Sequence, residues 1–265
     1  MRPNERGSAL LVTLWLLVAL TGVAGLALAG IQTGIGTSRN RIELLRAGWA
    51  AEACLEIERS GAQRRSGPLA ERLLAGLDSV DLGAELWCRV RLEDPAARVQ
   101  VNLGTAEALH AALGDSVLAE RLLAARPLPA LGALVTRYAW DSTLVAALDR
   151  VVTVRGLGLI NLNVADASVL RALPGLDSAG AEFWIRRRGT HPFGSLDDAL
   201  AALPPGTRSR VLARYPEFVA VAAVESRTFV SHAEGHVGRS PLTARVTATV
   251  VWAGDRLAVV QREVE

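Results

Sequence analysis

The sequence predicts an α+β fold: one long N-terminal helix packed on a small antiparallel sheet, with a large all-α domain inserted in the sheet. Three observations carry that prediction. No residue is charged between Gly7 and Ser38, a run long enough for a membrane span. The segments on either side of the middle of the chain alternate as strands do, whereas the middle has helical spacing. Two stretches of that middle also resemble each other, which points to a duplicated helical unit.

The composition narrows the function classes. The chain has 265 residues, half of them hydrophobic, and a net charge of +2. A balance so near neutral gives no polybasic character that would point to nucleic acid. There are two cysteines, Cys54 and Cys88, and no zinc-ligand spacing; His110, His191, His232 and His236 are scattered.

The apolar run admits three readings. A bilayer core needs about 20 apolar residues, and Ala9 to Gly30 supplies them as an anchor. Ala27-Leu28-Ala29 has the small-x-small form of a secretory cleavage site. The third reading rests on the junction Gly7-Ser8, where a short charged leader meets the helix directly. That junction resembles the signal of type IV pilins and type II secretion pseudopilins, whose peptidase cuts after the Gly, methylates the new amine and leaves the helix in place. By that resemblance residues 1–7 are a leader, the mature chain starts at Ser8, and 8–30 is the span. Most pilins carry Glu at the fifth mature position, to neutralise a neighbour's amine in the filament. Here the position is Val12. An apolar residue there suits a subunit at a filament tip, or an ordinary membrane anchor.

Beyond the span, Ile42, Leu45, Trp49, Ala53 and Ile57 recur at three- and four-residue steps with charges between them. This is an amphipathic helix with one face to bury, expected to end near Ser60-Gly61. The Leu45/Trp49 face is expected on the sheet.

The two similar stretches are VNLGTAEALHAALGD, opening the first module (99–150), and LNVADASVLRALPGLD, opening the second (160–215). Asn102 aligns with Asn163, Leu109 with Leu170, Arg126 with Arg188, and Leu131-Gly132 with Phe193-Gly194. The Asn fits an N-cap or turn role. Leu109, Leu170, Pro174, Gly175 and Ile185 are expected in the module cores. The second module resembles a helix-hairpin-helix (SAM-like) unit. In nucleic-acid-binding versions a Gly-h-Gly turn meets a phosphate with bare N–H groups. Here Asp177 replaces the second Gly, and Asp115 lies beside the first turn. Both carboxylates would repel phosphate, so protein contact is expected rather than DNA binding. Strands are expected at 86–92, 218–224, 228–236, 242–252 and 256–264, with a hairpin turn at Gly254-Asp255. The sheet domain is thus 61–98 with 216–265, and the insertion 99–215.

Taken in order, RGSALLVTLWLLVAL with no Glu at position five, the long helix, the two Asn-led modules and the closing SRTFVSHAEGHVG…LTARVTATVVW segment resemble the K-type minor pseudopilins of type II secretion. The resemblance implies a pilin-like fold and a subunit capping the pseudopilus with I- and J-type minor pseudopilins, with contact to secreted substrate. It further implies the major pseudopilin and prepilin peptidase as partners, and a single-pass inner-membrane protein with its C-terminal domain in the periplasm. Some members bind calcium; no acid cluster here maps onto a ligand set, and no other cofactor is expected. No nucleophile, metal or phosphate-loop constellation is present, so no enzyme is expected. Asp197-Asp198 open a helix after Ser195, where acids suit the dipole. The alternative function is a membrane-anchored helix-hairpin-helix protein for DNA binding or uptake. Cys54 and Cys88 are expected close together, as a periplasmic disulfide or as two buried thiols.

Overall fold

The computed structural model describes residues 3–64, 79–253 and 256–264. The hairpin turn expected at Gly254-Asp255 lies outside the described residues.

Helix α1 runs from Pro3 to Arg64, about 93 Å at 1.5 Å per residue. It passes through Gly61, because no left-handed residue stops it there and Ala62, Gln63 and Arg64 are good helix formers. Its Leu10–Gly61 part contains a window apolar enough to cross a membrane.

Its soluble half lies across an antiparallel sheet of five strands, ordered β1-β2-β7-β8-β9. The strands are β1 (Val80–Gly83), β2 (Leu86–Glu93), β7 (Thr228–Val237), β8 (Thr243–Ala253) and β9 (Arg256–Val264). The insertion separates β2 from β7. It holds two two-stranded parallel pairs: β3 (Val99–Gln100) with β4 (Val152–Thr153), and β5 (Ile160–Asn161) with β6 (Ala222–Ala223). Its helices are α2 (Ala106–Leu113), α3 (Ser116–Ala124), α4 (Ala133–Tyr138), α5 (Ser142–Leu148), α6 (Ala167–Leu170), α7 (Ser178–Arg188), α8 (Leu196–Ala202), α9 (Pro205–Ala213) and α10 (Tyr215–Val221).

The sequence reading of 218–224 as a strand is corrected here. Tyr215–Val221 is helical, with Pro216 in its first turn, where proline suits a helix. Only Ala222–Ala223 is extended, and it pairs inside the insertion, which therefore reaches past residue 215.

Among the described residues there are two main hydrophobic cores, and a small cluster of Ala47, Val237 and Ala244 beside the second. One lies inside the insertion around Leu109, Leu122, Leu134, Leu170, Trp184 and Phe218. The other lies between α1 and the sheet. The second core shows which face of α1 is buried: Ala47, Ala50, Ala51, Cys54 and Leu55. The expectation that Leu45 and Trp49 pack on the sheet is overturned; they are 55% and 69% exposed. The reason is the closeness of approach. A Cβ built on Gly235 of β7 would fall inside the contact distance of Ala47 O and lie 2.6 Å from Ala51 N. A helix seated on a glycine backbone has room beneath it only for alanine and cysteine.

Cys54 on α1 and Cys88 on β2 face each other with 6.0 Å between Cα atoms, and form a disulfide across this core. We expect thiol counting on the denatured, unreduced protein to find no free thiol. Two free thiols would rule the bond out of the mature protein. If the bond forms, Cys88→Ala should cost about 4 kcal/mol, the chain-entropy value for a loop of this size.

Candidate functional site

With its alanine face spent on the sheet, α1 turns its large apolar residues outward. Ile31, Ile35, Ile42, Leu45 and Trp49 are all more than half exposed. Ile35, Ile42 and Trp49 follow each other at seven-residue steps, and Ile31 and Leu45 fall on the intervening positions. This is the a/d spacing by which one helix receives another. The seam, interrupted only by Ser38 between Ile35 and Ile42, leads into the exposed apolar surface of Leu10–Leu28, which includes Val12.

Polar contacts fix the rotation of the helix, so the seam cannot turn inward. Arg39 pairs with Glu43 at 3.1 Å, and the Ser240 hydroxyl donates to Glu43 at 2.8 Å. Those two partners, Ser240 first, hold the Glu43 carboxyl below its ordinary range. Arg46, on the same flank as Glu43, donates to Ala84 O at 2.8 Å, and on the other flank Glu52 pairs with Arg262 of β9.

The insertion is joined to the sheet by a buried polar knot. The Ser226 hydroxyl donates to Asp94 Oδ2 at 2.6 Å, and Asn161 Nδ2 donates to Ser226 Oγ at 2.9 Å. Burial pushes the Asp94 carboxyl upward. The knot ties the strand that enters the insertion to the one that leaves it.

Inside the insertion the two asparagines are tethers rather than helix caps. Asn102 Nδ2 donates to Leu128 O at 2.8 Å and its Oδ1 accepts from Leu128 N at 2.9 Å. Asn163 makes the same pair of bonds with Phe193, at 3.0 and 2.8 Å. Leu128, not Leu131, therefore stands opposite Phe193, and the sequence alignment of that element is corrected by three residues. Arg126 and Arg188 play alike roles, donating to Gly104 O and to Leu162 O and Ala165 O. The helix caps are Thr105, Asp115, Asp141, Asp177 and Ser195.

Leu109 and Leu170 are fully buried. Pro174, Gly175 and Ile185 are only half-buried; the deep position on α7 belongs to Trp184, one residue before Ile185. Gly175 has φ +79°, and a Cβ there would meet Arg210 O at 2.6 Å.

Both turn acids fill helix N-termini. Asp115 accepts from Leu118 N at 3.0 Å, and Asp177 from Gly180 N at 2.9 Å. Asp177 also pairs with Arg210. The Gly180 N–H, with Thr207 and Arg210, holds the Asp177 carboxyl below its usual range. The N–H groups that a phosphate would use on this hairpin are thus met by the chain's own carboxylate. Among the described residues no group of three or more His, Cys, Asp and Glu side chains is placed to hold a metal ion.

A family model described as type II secretion system (T2SS), protein K, matches residues 160–214, the second module. The likeness to protein K thus rests on this module. The same architecture is found in a solved structure from "The Crystal Structure of the GspK-GspI-GspJ complex from enterotoxigenic Escherichia coli Type 2 Secretion System". The match has 16% identity and a TM-score of 0.62, and covers 86% of this chain and 99% of that one. No curated protein matches the chain. At 16% identity the solved structure speaks for the fold alone, with its long helix and antiparallel sheet. The sequence reading missed the outward direction of the stem seam, although its signal, the seven-residue steps 35-42-49, stands in the sequence.

Proposed function

We propose that this chain is a K-type minor pseudopilin that caps the pseudopilus of type II protein secretion, bound along its stem to I- and J-type neighbours. The observation that carries the reading is the outward heptad seam on a membrane-length stem that bears a protein K module. A seam of that kind is stabilised when a second helix covers it. The bulk of the insertion cannot be repeated along a thin filament, and Val12 lacks the carboxylate a repeated subunit uses. Both favour the tip.

The finer parts of the reading follow. Prepilin peptidase removes residues 1–7, and the new Ser8 amine is methylated. The helix stays in the inner membrane, with the sheet and insertion in the periplasm. The insertion is one helical unit used twice, since the paired Asn tethers and Arg contacts recur in both halves. It meets protein rather than nucleic acid, because Asp115 and Asp177 occupy the hairpin N–H groups. It has no catalytic task.

Co-purification from detergent tests this. The full chain is expected to retain I- and J-type partners from its own source. Trp49→Glu with Ile42→Glu should lower retention at least about tenfold, because a charge would enter an apolar helix contact. The intact mass of the retained chain should begin at a methylated Ser8; a start at Gly30 would put the secretory reading in its place. If the unmodified chain retains neither partner yet binds duplex DNA with a steep salt dependence, the DNA-uptake alternative stands instead.

A further inference from the structure

Between the stem and the end of the sheet nearest the membrane segment lies a crevice of about 1720 Å³. Along α1 it runs from Ile31 to Arg46, and β1, β2 and the turn after β7 form its other wall. The anchored stem sets its depth. With Ser8 at the inner boundary, about 20 residues cross the hydrocarbon, and the helix leaves it near Leu28. The outer headgroup layer adds about 5–7 Å, which brings Ile31 to the level of phosphates and amines. The crevice thus opens at its lower end into the headgroup layer.

Its lining carries both signs of charge: Arg39, Arg46 and Arg239 against Glu43, Asp81 and Glu85. Arg39 and Glu43 are taken by each other at 3.1 Å, and Arg46 by Ala84 O. Arg239, Asp81 and Glu85 remain. All three are exposed, and none has an ion pair among the described residues. Asp81 Oδ1 accepts from Gly83 N at 2.8 Å, which holds the acid on the turn between β1 and β2. Glu85 lies against Gly238, the residue before Arg239; a Cβ on Gly238 would stand 3.7 Å from Glu85 Oε2.

This arrangement selects its occupant. A headgroup that is only anionic would gain the arginine but meet two carboxylates. A phosphate that also bears a primary amine gives each sign its counter-charge. The apolar part fits as well: Ile31 and Ile35 are 57% and 64% exposed and continue the apolar surface of the span beyond Leu28. We propose that in the unassembled subunit the crevice holds one aminophospholipid, its phosphate at Arg239, its ammonium at Asp81 and Glu85, and its acyl chains along Ile31. The proposal rests on the anchored stem of the reading above.

The test places the full chain in nanodiscs of equal phosphatidylethanolamine and phosphatidylglycerol. Native mass spectrometry then weighs the lipid that stays on the protein. Phosphatidylethanolamine should be retained about fivefold over phosphatidylglycerol, the effect of about one charge at a membrane surface. Asp81→Asn with Glu85→Gln keeps an acceptor for Gly83 N, and should bring the two lipids to parity by loss of phosphatidylethanolamine alone. Arg239→Gln should lower both about fivefold, since both carry the phosphate. The three positions are exposed, so melting should not change. Retention in the bulk ratio, a preference for phosphatidylglycerol, variants that retain lipid as the unmodified chain does, or a second copy held in place of lipid would each overturn the proposal. A chain that enters the discs without lipid preference leaves the anchor standing and removes this site alone. A chain that starts at Gly30 and stays out of the discs removes both.

Discussion

Gly235→Ala is expected to lift the stem from the sheet. The atoms that a Cβ at 235 would strike are Ala47 O and Ala51 N, both backbone. A flexible side chain could swing away, but a helix backbone has to move as a body. Movement would open the core formed by Ala50, Ala51, Cys54, Cys88 and Ala233. Overpacking of this kind costs about 1–3 kcal/mol, and more where the obstacle is rigid. At about 2–4 °C per kcal/mol, the melting midpoint of the sheet domain should fall by several degrees with Ala and further with Val. Gly48→Ala is the internal control. Nothing lies within 4 Å of a Cβ there, so it should melt no lower, and the helix gains about 1 kcal/mol of propensity. Equal melting of the Gly235→Ala and Gly48→Ala variants would contradict the close-approach account.

The same glycine explains what the sequence left hidden. The amphipathic pattern of α1 was legible, and so were four of the five main strands. The pattern says that Ile42, Leu45 and Trp49 share a face, but not whether that face meets its own sheet or another protein. The decision lies in Gly235, almost two hundred residues on, which brings the helix too close for a tryptophan. The helix at Tyr215–Val221 was masked by its β-branched and aromatic content, although Pro216 marks a helix start. The asparagine tethers were out of reach because their partners, Leu128 and Phe193, lie 26 and 30 residues away. The caps were nearer to hand: Ser195, with Asp197 and Asp198 in the first turn, stands where short-range rules place it. At the candidate site the position-five residue, the turn acids and the apolar seam were all visible in the sequence. The crevice beside the stem was not, because it exists only once β1, β2 and the turn after β7 stand against α1.

Leu170→Asp is expected to unfold the second module. Leu170 is fully buried, within a core that includes Leu173, Trp184 and Phe218. The substitution removes apolar contacts and puts an unpaired carboxylate in their place. Loss of the side chain costs about 2–5 kcal/mol, and the buried charge adds to that. Against a domain stability of about 5–15 kcal/mol, this is enough to abolish folding at growth temperature. Leu109→Asp should do the same to the first module. Proteolysis should then cut within the insertion while the stem and sheet stay protected, because their core is separate. A Leu170→Asp protein that resists protease across 160–214 would contradict the core assignment.

The most direct test of the tip-subunit account is a photo-cross-linker at position 49, in intact membranes that carry the whole secretion system. Trp49 faces outward at the middle of the soluble seam, so the account predicts an adduct whose mass adds an I- or J-type subunit. Adducts from position 49 to lipid alone, or no protein adduct at all, would contradict the account.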